Sequence, residues 1–208
     1  SDLNDLCVVA IKAAHEAGVL IKEYSTKDVD VEIKDKSLSR AAQVVTEVDR
    51  LSQDTILKLI MPTLKQYDLG LLCEESVDDG SRFEKDYFWC IDPLDGTLPF
   101  IEKRPGYAVS IALVSKDGTP VMGVVYDPIK QTLYHAIKGE GAYYNQEAWT
   151  LKAEDTDTYK AIDEGGSVMN ACWVLEQAPA YYHKKSKDVD GCGCLWDYAA
   201  TACLFAEL

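Results

Sequence analysis

The chain has 208 residues, of which 47% are hydrophobic and 27% are charged, a composition that suits a globular protein with a sizeable core. Its 35 acidic residues outnumber the 21 basic ones, so the formal net charge is -14. Such a field repels nucleic acid polymers and anionic membrane surfaces, and an anionic substrate would need a bound cation to neutralise the local charge. Charge therefore argues against a nucleic-acid-binding or membrane-binding function.

The cysteine pattern and the hydropathy indicate a soluble, cytoplasmic protein. Seven cysteines occur without framework spacing, and Cys192 and Cys194 lack the partner pair that a structural metal site of about four ligands requires. No apolar run approaches the roughly 18 to 20 residues that span a bilayer, and the N-terminus has no basic flank followed by an apolar segment. We expect reduced thiols and no membrane partner.

The first part of the chain predicts two helices. Apolar residues from Leu3 to Ile21 recur at spacings of three and four, which is typical of a long amphipathic helix. A second helix is predicted from about Glu47 to Ile60, with Pro62 as its end because proline interrupts the helical hydrogen-bond ladder.

The middle of the chain changes to short strand-like segments. LGLLC (69–73) and YFWCI (87–91) predict buried strands, and YAVSIALV (107–114) alternates as a half-buried strand does. VMGVVY, TLYHAI and GAYY continue the sheet, and helices are predicted again at 166–176 and from Asp197 onward. The order of helices, sheet and helices predicts a layered α/β or α+β fold.

Acidic clusters stand where these elements begin or end. Glu74, Glu75 and Ser76 follow the first strand, DPLDGT (92–97) follows the second, and Asp197 opens the final helix. Carboxylates at strand ends face the crevice in which α/β proteins bind ligands. Magnesium prefers oxygen ligands, and two metal ions about 3.5 to 4 Å apart can clamp a phosphoryl transfer. The clusters therefore predict a magnesium site.

The residues after Asp95 are suited to phosphate. Gly96 allows close approach of the backbone, its amide and that of Thr97 can donate to phosphate, and the Thr97 hydroxyl can orient a metal-bound water. Taken singly, the Glu-Glu-Ser segment is typical of a solvated loop and Asp-Gly of a turn. A plain turn, however, does not require two aspartates, a proline and a threonine.

These motifs, in this order, resemble the signatures of the inositol monophosphatase superfamily, the lithium-sensitive, magnesium-dependent phosphatases. Further similarity lies in VVTEVD (44–49), AVSIALV (108–114), GVVYDP (123–128) and GEGAYYN (139–145). The resemblance implies a layered α-β-α-β-α sandwich of the sugar phosphatase type. It also implies a single phosphatase domain over residues 1–208 that lacks internal and C-terminal segments found in the family.

The resemblance also implies a ligand set for two or three Mg²⁺ ions. Glu74 would bind the first ion and help to hold the nucleophilic water, and the Leu94 carbonyl would be a further ligand of that ion. Asp92 would bridge two ions, and Asp95 and Asp197 would bind the second.

Other positions would complete the site. Asp49 would join the outer metal or the water network, Thr97 would assist activation of the water, and the amides of Gly96 and Thr97 would hold phosphate. Glu75 matches a second family glutamate whose role stays open. His183, in AYYH (180–183), stands where inositol-specific members have an acidic residue, so it is a candidate substrate contact.

Two departures bear on specificity. Leu98 and Pro99 replace polar residues that usually follow the signature threonine, and Cys73 replaces a glycine before the glutamates. The metal ligands survive both changes, so the departures bear on the choice of substrate more than on the chemistry.

The sequence thus predicts a phosphoric monoester hydrolase that uses metal-activated water on a small substrate resembling inositol monophosphate. Three alternatives stay open. The first is a 3'(2'),5'-bisphosphate nucleotidase acting on adenosine 3',5'-bisphosphate. The second is a haloacid-dehalogenase-like phosphatase, whose aspartates are two apart whereas Asp92 and Asp95 are three apart. The third is a noncatalytic metal- or partner-binding protein on the same scaffold. Relatives are often dimers, so a homodimer is an expectation.

Overall fold

The structure is a computed structural model that describes residues 2–26, 40–152, 156–184 and 193–208. Among the described residues, every helix is too short or too polar to cross a membrane. A 3-10 turn at Leu195–Asp197 precedes the last helix. The helices are α1 (Asp2–Thr26), α2 (Arg40–Gln66), α3 (Ser81–Glu84), α4 (Thr97–Ile101), α5 (Ser167–Glu176) and α6 (Ala199–Glu207).

Seven strands form one sheet in the order in which they occur along the chain. The first two strands are parallel and the others pair antiparallel, as in a meander. A separate pair of short parallel strands, β8 (Lys160–Ala161) and β9 (Ala180–Tyr181), lies outside it. The seven strands are β1 (Gly70–Cys73), β2 (Tyr87–Asp95), β3 (Ala108–Ser115), β4 (Pro120–Asp127), β5 (Thr132–Ile137), β6 (Gly141–Tyr144) and β7 (Glu147–Trp149).

Helices cover both faces of the large sheet, which confirms the predicted layered α/β fold. Successive side chains of a strand point to opposite faces. Trp89 accordingly packs in a core with α1 and α2, while Cys90 packs in a second core with α5 and α6. The expectation that β3 is half-buried is wrong, because seven of its eight residues are buried. A strand covered on both faces has no solvent side to alternate with.

The predicted end of α2 at Pro62 is also wrong, since the helix continues to Gln66. The Thr63 hydroxyl donates to the Ile60 carbonyl at 2.6 Å and accepts a hydrogen bond from Trp89 Nε1 at 2.9 Å. These contacts tie the last turn to the core, so packing against the sheet stabilises a turn that proline alone would disfavour.

Strand β2 is longer than predicted. It runs to Asp95 and not to Ile91, so the first acidic motif residues lie within the strand. The pairing with β3 shifts between Asp92 and Asp95, where a β-bulge occurs. The final helix also differs from the prediction, because Asp197 ends the 3-10 turn and α6 begins at Ala199.

Helix α6 approaches β4 closely at Gly123. A Cβ atom at this position would lie 2.8 Å from Ala200 Cα and closer still to the Ala200 carbonyl oxygen. The obstacle is backbone, which cannot rotate away as a flexible side chain can. The glycine is therefore required by the spacing between the sheet and the helix.

We predict that Gly123→Ala lowers the free energy of unfolding by about 1 to 3 kcal/mol, because overpacking forces backbone to move. The φ angle of Gly123 lies outside the left-handed region, so the loss would measure the clash and not backbone strain. Urea unfolding of the variant and the wild type provides the measurement. A difference smaller than about 0.5 kcal/mol, the usual range for a neutral surface change, would contradict the close packing.

Candidate metal centre

Three aspartates from distant parts of the chain meet at one corner of the sheet. Asp92 and Asp95 lie on β2, and Asp197 lies at the end of the 3-10 turn, which contacts β2. One carboxylate oxygen from each of the three lies within 4.8 Å of the other two. Asp92 is 1% exposed and Asp95 is 8% exposed. The predicted aspartate ligands are therefore brought together.

The bulge in β2 explains how two aspartates of one strand can share a site. Asp92 pairs with Ser110 and Asp95 pairs with Ala108, so three steps along β2 match two steps along β3. In a regular strand, the side chains of residues three apart point to opposite faces of the sheet. The extra residue of the bulge shifts this alternation by one, so that Asp92 and Asp95 point to the same face. The Leu94 amide donates to Asp92 Oδ1 at 3.1 Å and fixes that carboxylate.

Asp95 also contacts the start of α5. The Val168 amide donates to Asp95 Oδ2 at 2.9 Å, which satisfies one of the free first-turn amides of that helix. A Cβ atom on Gly166 would overlap the same oxygen, so only glycine fits there. Sequence reasoning missed Gly166, and the Gly165-Gly166 pair before a helix was the available signal. The contact leaves the other Asp95 oxygen for a cation.

Helix α2 makes hydrogen bonds to both acidic segments, the one at 74–76 and the one at 92–97. The Ser52 hydroxyl donates to the Pro93 carbonyl at 2.7 Å, and Gln53 Nε2 donates to Ser76 Oγ at 2.8 Å. Asp49 lies three and four residues earlier and therefore on the same helix face. Sequence analysis selected Asp49 but missed Ser52 and Gln53, which polar positions on a core-facing helix stripe could have indicated.

Glu74 completes the cluster. Its amide donates to the Ile91 carbonyl at 3.1 Å, which carries the parallel pairing one residue beyond β1, and its side chain hydrogen-bonds with Asp92. Glu75 is exposed, and its carboxylate acts electrostatically on Asp49. Glu74 thus joins the aspartate cluster, and Glu75 lies beside it, toward Asp49 of α2.

Burial and mutual repulsion shift the pKa values of the cluster. Burial raises the pKa of Asp92 well above its usual range, and Asp95 and Glu74 add to that shift. Burial likewise raises the pKa of Asp95 to about 7, against the opposing hydrogen bond from Val168. The pKa of Asp49 rises to about 7 through burial and then through Glu75 and Glu74. Without cations, the cluster therefore takes up protons at neutral pH.

The donor set fits magnesium. Carboxylate and carbonyl oxygens are the ligands that this hard cation prefers, and a divalent charge relieves the repulsion that protons otherwise relieve. Asp92, Asp95 and Asp197 would hold the metal, with Glu74 beside them.

The other predicted residues lie in or near the same corner. Leu94 is buried within the bulge, and Gly96 adopts a left-handed φ of 86° before α4 begins at the exposed Thr97. His183 is exposed, and its role as a substrate contact stays a prediction. Cys194 donates its amide to Asp197 Oδ2 at 2.9 Å, while Cys192 lies outside the described residues.

Lys184 is a cation beside the acidic cluster that sequence reasoning did not select. Its Nζ donates to the buried Ser167 Oγ at 3.1 Å and lies 5.7 Å from the centre of the Tyr198 ring. Burial acts to lower the pKa of Lys184, but Tyr198 and Asp197 outweigh it and raise the pKa. The unusual Lys-Lys pair after the predicted His183 was the available signal.

Comparison with known proteins agrees with this geometry. The model of the family described as "Inositol monophosphatase family" matches residues 2–164. The chain belongs to the inositol monophosphatase family.

Two solved structures share the fold, CysQ from Bacteroides thetaiotaomicron and an inositol monophosphatase from Anabaena. The first has a TM-score of 0.77 at 25% identity, over 98% of this chain and 86% of that one. The second has a TM-score of 0.73 at 23% identity, and the match covers 100% of this chain and 82% of that one.

Curated relatives within the family carry two kinds of name. The chain is 40% identical over 145 residues to the Nus factor SuhB of Pasteurella multocida, which is 69% of this chain and 51% of that protein. It is 31% identical over 168 residues to the inositol-1-monophosphatase of Bacillus subtilis, which is 81% of this chain and 59% of that protein. The chain thus spans between half and three fifths of the length of these relatives.

The raised pKa values predict how stability of this family member depends on pH. Asp49 and Asp95 have folded-state pKa values of about 7 against an ordinary value of 3.8, so the folded state binds more protons between those limits. Stability of the metal-free protein should therefore fall as pH rises from about 4 to about 7. Magnesium binds the deprotonated carboxylates, so its stabilising effect should be larger at pH 8 than at pH 5.

Thermal midpoints with chelator and with magnesium at several pH values provide the measurement, with Asp49→Asn as the matched variant. The variant shares every other titrating group, so the difference between the two proteins isolates the contribution of Asp49. We expect a smaller fall in midpoint with pH for the variant. Equal pH dependence in both proteins would contradict the assignment of a raised pKa to Asp49.

Proposed function

We propose that the protein is a magnesium-dependent phosphoric monoester hydrolase that uses a metal-activated water on a small phosphate monoester resembling inositol monophosphate. The meeting of Asp92, Asp95 and Asp197 within 4.8 Å carries the proposal, because carboxylates this close, two of them buried, are costly unless a cation joins them. Membership of the inositol monophosphatase family and likeness to an inositol-1-monophosphatase support it.

Bound magnesium would supply Lewis-acid charge and a water whose pKa is lowered toward neutrality. The three aspartates and Glu74 would hold two or three ions, with the Leu94 carbonyl as a further ligand. The Thr97 hydroxyl would orient the attacking water, with Glu74 and Asp49 in its hydrogen-bond network. The amides of Gly96 and Thr97 would hold the phosphate oxygens. The products would be inorganic phosphate and an alcohol.

A noncatalytic metal- or partner-binding protein is the second candidate. Several relatives are named Nus factor SuhB, and this favours keeping the second candidate, since the name describes a factor and not a phosphatase. The carboxylate cluster argues against it, because packing alone gives no reason to keep several buried acids together. A turnover assay separates the two candidates.

We predict that hydrolysis of inositol 1-phosphate requires added magnesium and stops in excess chelator, because unactivated water is a poor nucleophile at neutral pH. Release of inorganic phosphate measures it, with manganese and calcium as comparison ions. Family resemblance further predicts inhibition by lithium at saturating substrate. Full activity in chelator would overturn the metal mechanism, whereas insensitivity to lithium alone would count only against placement near the lithium-sensitive enzymes.

We predict that Asp92→Asn and Asp95→Asn each lower kcat/KM by roughly 100-fold or more, since even residues behind metal ligands contribute about 10 to 100-fold. Each change keeps the size of the side chain but removes a charge that holds metal. The metal-free thermal midpoint should stay level or rise, because repulsion within the cluster falls.

Asp117→Asn is the matched control. Asp117 Oδ1 accepts a hydrogen bond from the Thr119 amide at 3.0 Å. Asp92 Oδ1 likewise accepts a hydrogen bond from the amide two residues later, that of Leu94. Asp117 lies on the β3–β4 turn, at the far end of the sheet from the cluster. If Asp92→Asn retained activity as well as Asp117→Asn does, Asp92 would be a turn residue and not a ligand.

A further inference from the structure

A cavity of about 640 Å³, the α1 cavity, opens between helix α1 and strands β4, β5 and β6. The turns that follow β4 and β6 complete its lining. Strands β5 and β6 are three and four places from β2 in the sheet, which is roughly 14 to 19 Å at a strand spacing of about 4.8 Å. The cavity is therefore separate from the aspartate cluster, and its volume lies in the range of small-molecule sites.

Aromatic and imidazole rings form much of the cavity wall. Tyr126, on β4, is 5% exposed and packs against α1 at Gly18, where a Cβ atom would overlap the Tyr126 ring. His15 of α1 meets the Tyr126 ring edge-on, with ring centres 5.4 Å apart. His135 and Tyr143 are a cross-strand pair of β5 and β6, and their rings stack with centres 4.8 Å apart. Such flat surfaces are suited to a planar ligand.

His135 occupies a position that packing alone would give to an apolar residue. Leu133 and Ile137, two residues before and after it on β5, are buried in the core with α1 and α2. The Nδ1 atom of His135 is enclosed and has no hydrogen-bond partner among the described residues, which is unfavourable for a polar atom. Burial lowers the pKa of His135, so its neutral ring has one donor and one acceptor. The protein therefore leaves part of the hydrogen-bonding capacity of His135 unused.

Three carboxamide residues line the cavity on strained backbone. Gln131, Asn145 and Gln146 have φ angles of 54°, 48° and 69°, all in the left-handed region. Asparagine tolerates this region, but glutamine rarely adopts it, and the second position of a two-residue hairpin turn such as Asn145-Gln146 favours glycine. Strained backbone of this kind concentrates at binding sites. The two glutamines thus bring carboxamides to the cavity in a conformation that glycine would adopt more readily.

Charge and ligand count exclude several kinds of occupant. None of the described residues that line the cavity is acidic, although the chain has 35 acidic residues, so a cationic ligand is disfavoured. A transition-metal site commonly uses three or more His, Cys or acidic ligands, and among the described residues the aspartate cluster is the sole such group. Lys12, the one lysine or arginine of this lining, is exposed and pairs with Glu16 at 4.0 Å. The lining therefore favours an uncharged ligand over an anion.

We propose that the α1 cavity binds an uncharged purine or pyrimidine base, free or as a nucleoside. Carboxamides pair with base edges that present a donor beside an acceptor, and tyrosine and histidine rings stack on the faces of bases. A simple sugar lacks both such an edge and an aromatic face. The negative field of the protein disfavours nucleotides and nucleic acid polymers. This site goes beyond the proposed phosphatase function and does not depend on it.

Calorimetric titration of the full chain with inosine and with uridine, in magnesium buffer, tests the proposal. Ribose is the comparison ligand because it has the sugar without the base. We expect saturable binding of at least one nucleoside at one site per chain, roughly ten-fold or more tighter than that of ribose, since stacking of a base on an aromatic side chain has an effect of this order. Asp92→Asn should bind the nucleoside as the wild type does, because the aspartate cluster is not the site.

Four further variants locate the binding site. His135→Phe keeps a ring in the core and removes both nitrogens, and Tyr143→Leu keeps an apolar side chain and removes the ring. Each should weaken nucleoside binding by roughly ten-fold. Gln146→Gly should weaken binding while raising the thermal midpoint, because glycine relieves the left-handed backbone. Asp68→Gly relieves a φ of 54° outside the cavity and should leave binding unchanged.

The outcomes that would overturn the proposal concern binding alone. They are absence of saturable binding of both nucleosides, ribose binding as tight as theirs, or loss of nucleoside binding in Asp92→Asn. Unchanged affinity in folded His135→Phe and Tyr143→Leu would overturn it equally. If one of these two fails to fold, the other variant and Gln146→Gly decide. Release of inorganic phosphate tests the proposed function separately, so failure of one proposal leaves the other intact.

Discussion

Repulsion among crowded carboxylates is the interaction on which the candidate metal centre depends. Asp92, Asp95 and Asp197 bring oxygens within 4.8 Å of one another at the edge of a packed core. Burial and like charge raise the pKa values of Asp92 and Asp95, so without cations these carboxylates take up protons at neutral pH. Their positions depend on structural support from neighbouring elements.

That support comes from three directions. The bulge in β2 turns Asp92 and Asp95 to one side of the strand. The first turn of α5 offers the Val168 amide to Asp95, and the positive end of a helix favours a negative charge. Helix α2 binds the Pro93 carbonyl through Ser52 and so holds the bulge from behind. The candidate metal centre is thus built on a helix start, a helix face and a strand irregularity.

The sequence predicted many of the regular elements well, because they follow from local pattern, and the structure brings three of the selected aspartates, Asp92, Asp95 and Asp197, together. Strands β1 and β4 to β6 and helices α1 and α5 lie close to where the periodicity placed them. Asp92, Asp95 and Thr97 were selected because the string DPLDGT is unusual for a plain turn, while the roles given to Glu74 and Asp49 came from the family resemblance. The family itself followed from motifs in order, and the match over residues 2–164 confirms it.

The errors arose where distant contacts override local preference. Nothing near Pro62 in the sequence shows that Thr63 will bond with Trp89 and stabilise one more helical turn. The bulge between Asp92 and Asp95 depends on pairing with β3, which is set by residues after position 107. Lys184 was passed over because its partner Ser167 lies seventeen residues earlier, and the Lys-Lys pair in the sequence does not show that contact.

A protein with a net charge of -14 can bind an anionic substrate of the proposed kind only if positive charge is concentrated at the site. The overall field slows the approach of phosphates, and screening at physiological salt limits that effect to about 8 Å. Within that distance, magnesium held as proposed would neutralise the acidic cluster. Under the proposed function, a strongly acidic surface would disfavour phosphate polymers while a small region of carboxylates and bound cations admits a small phosphate.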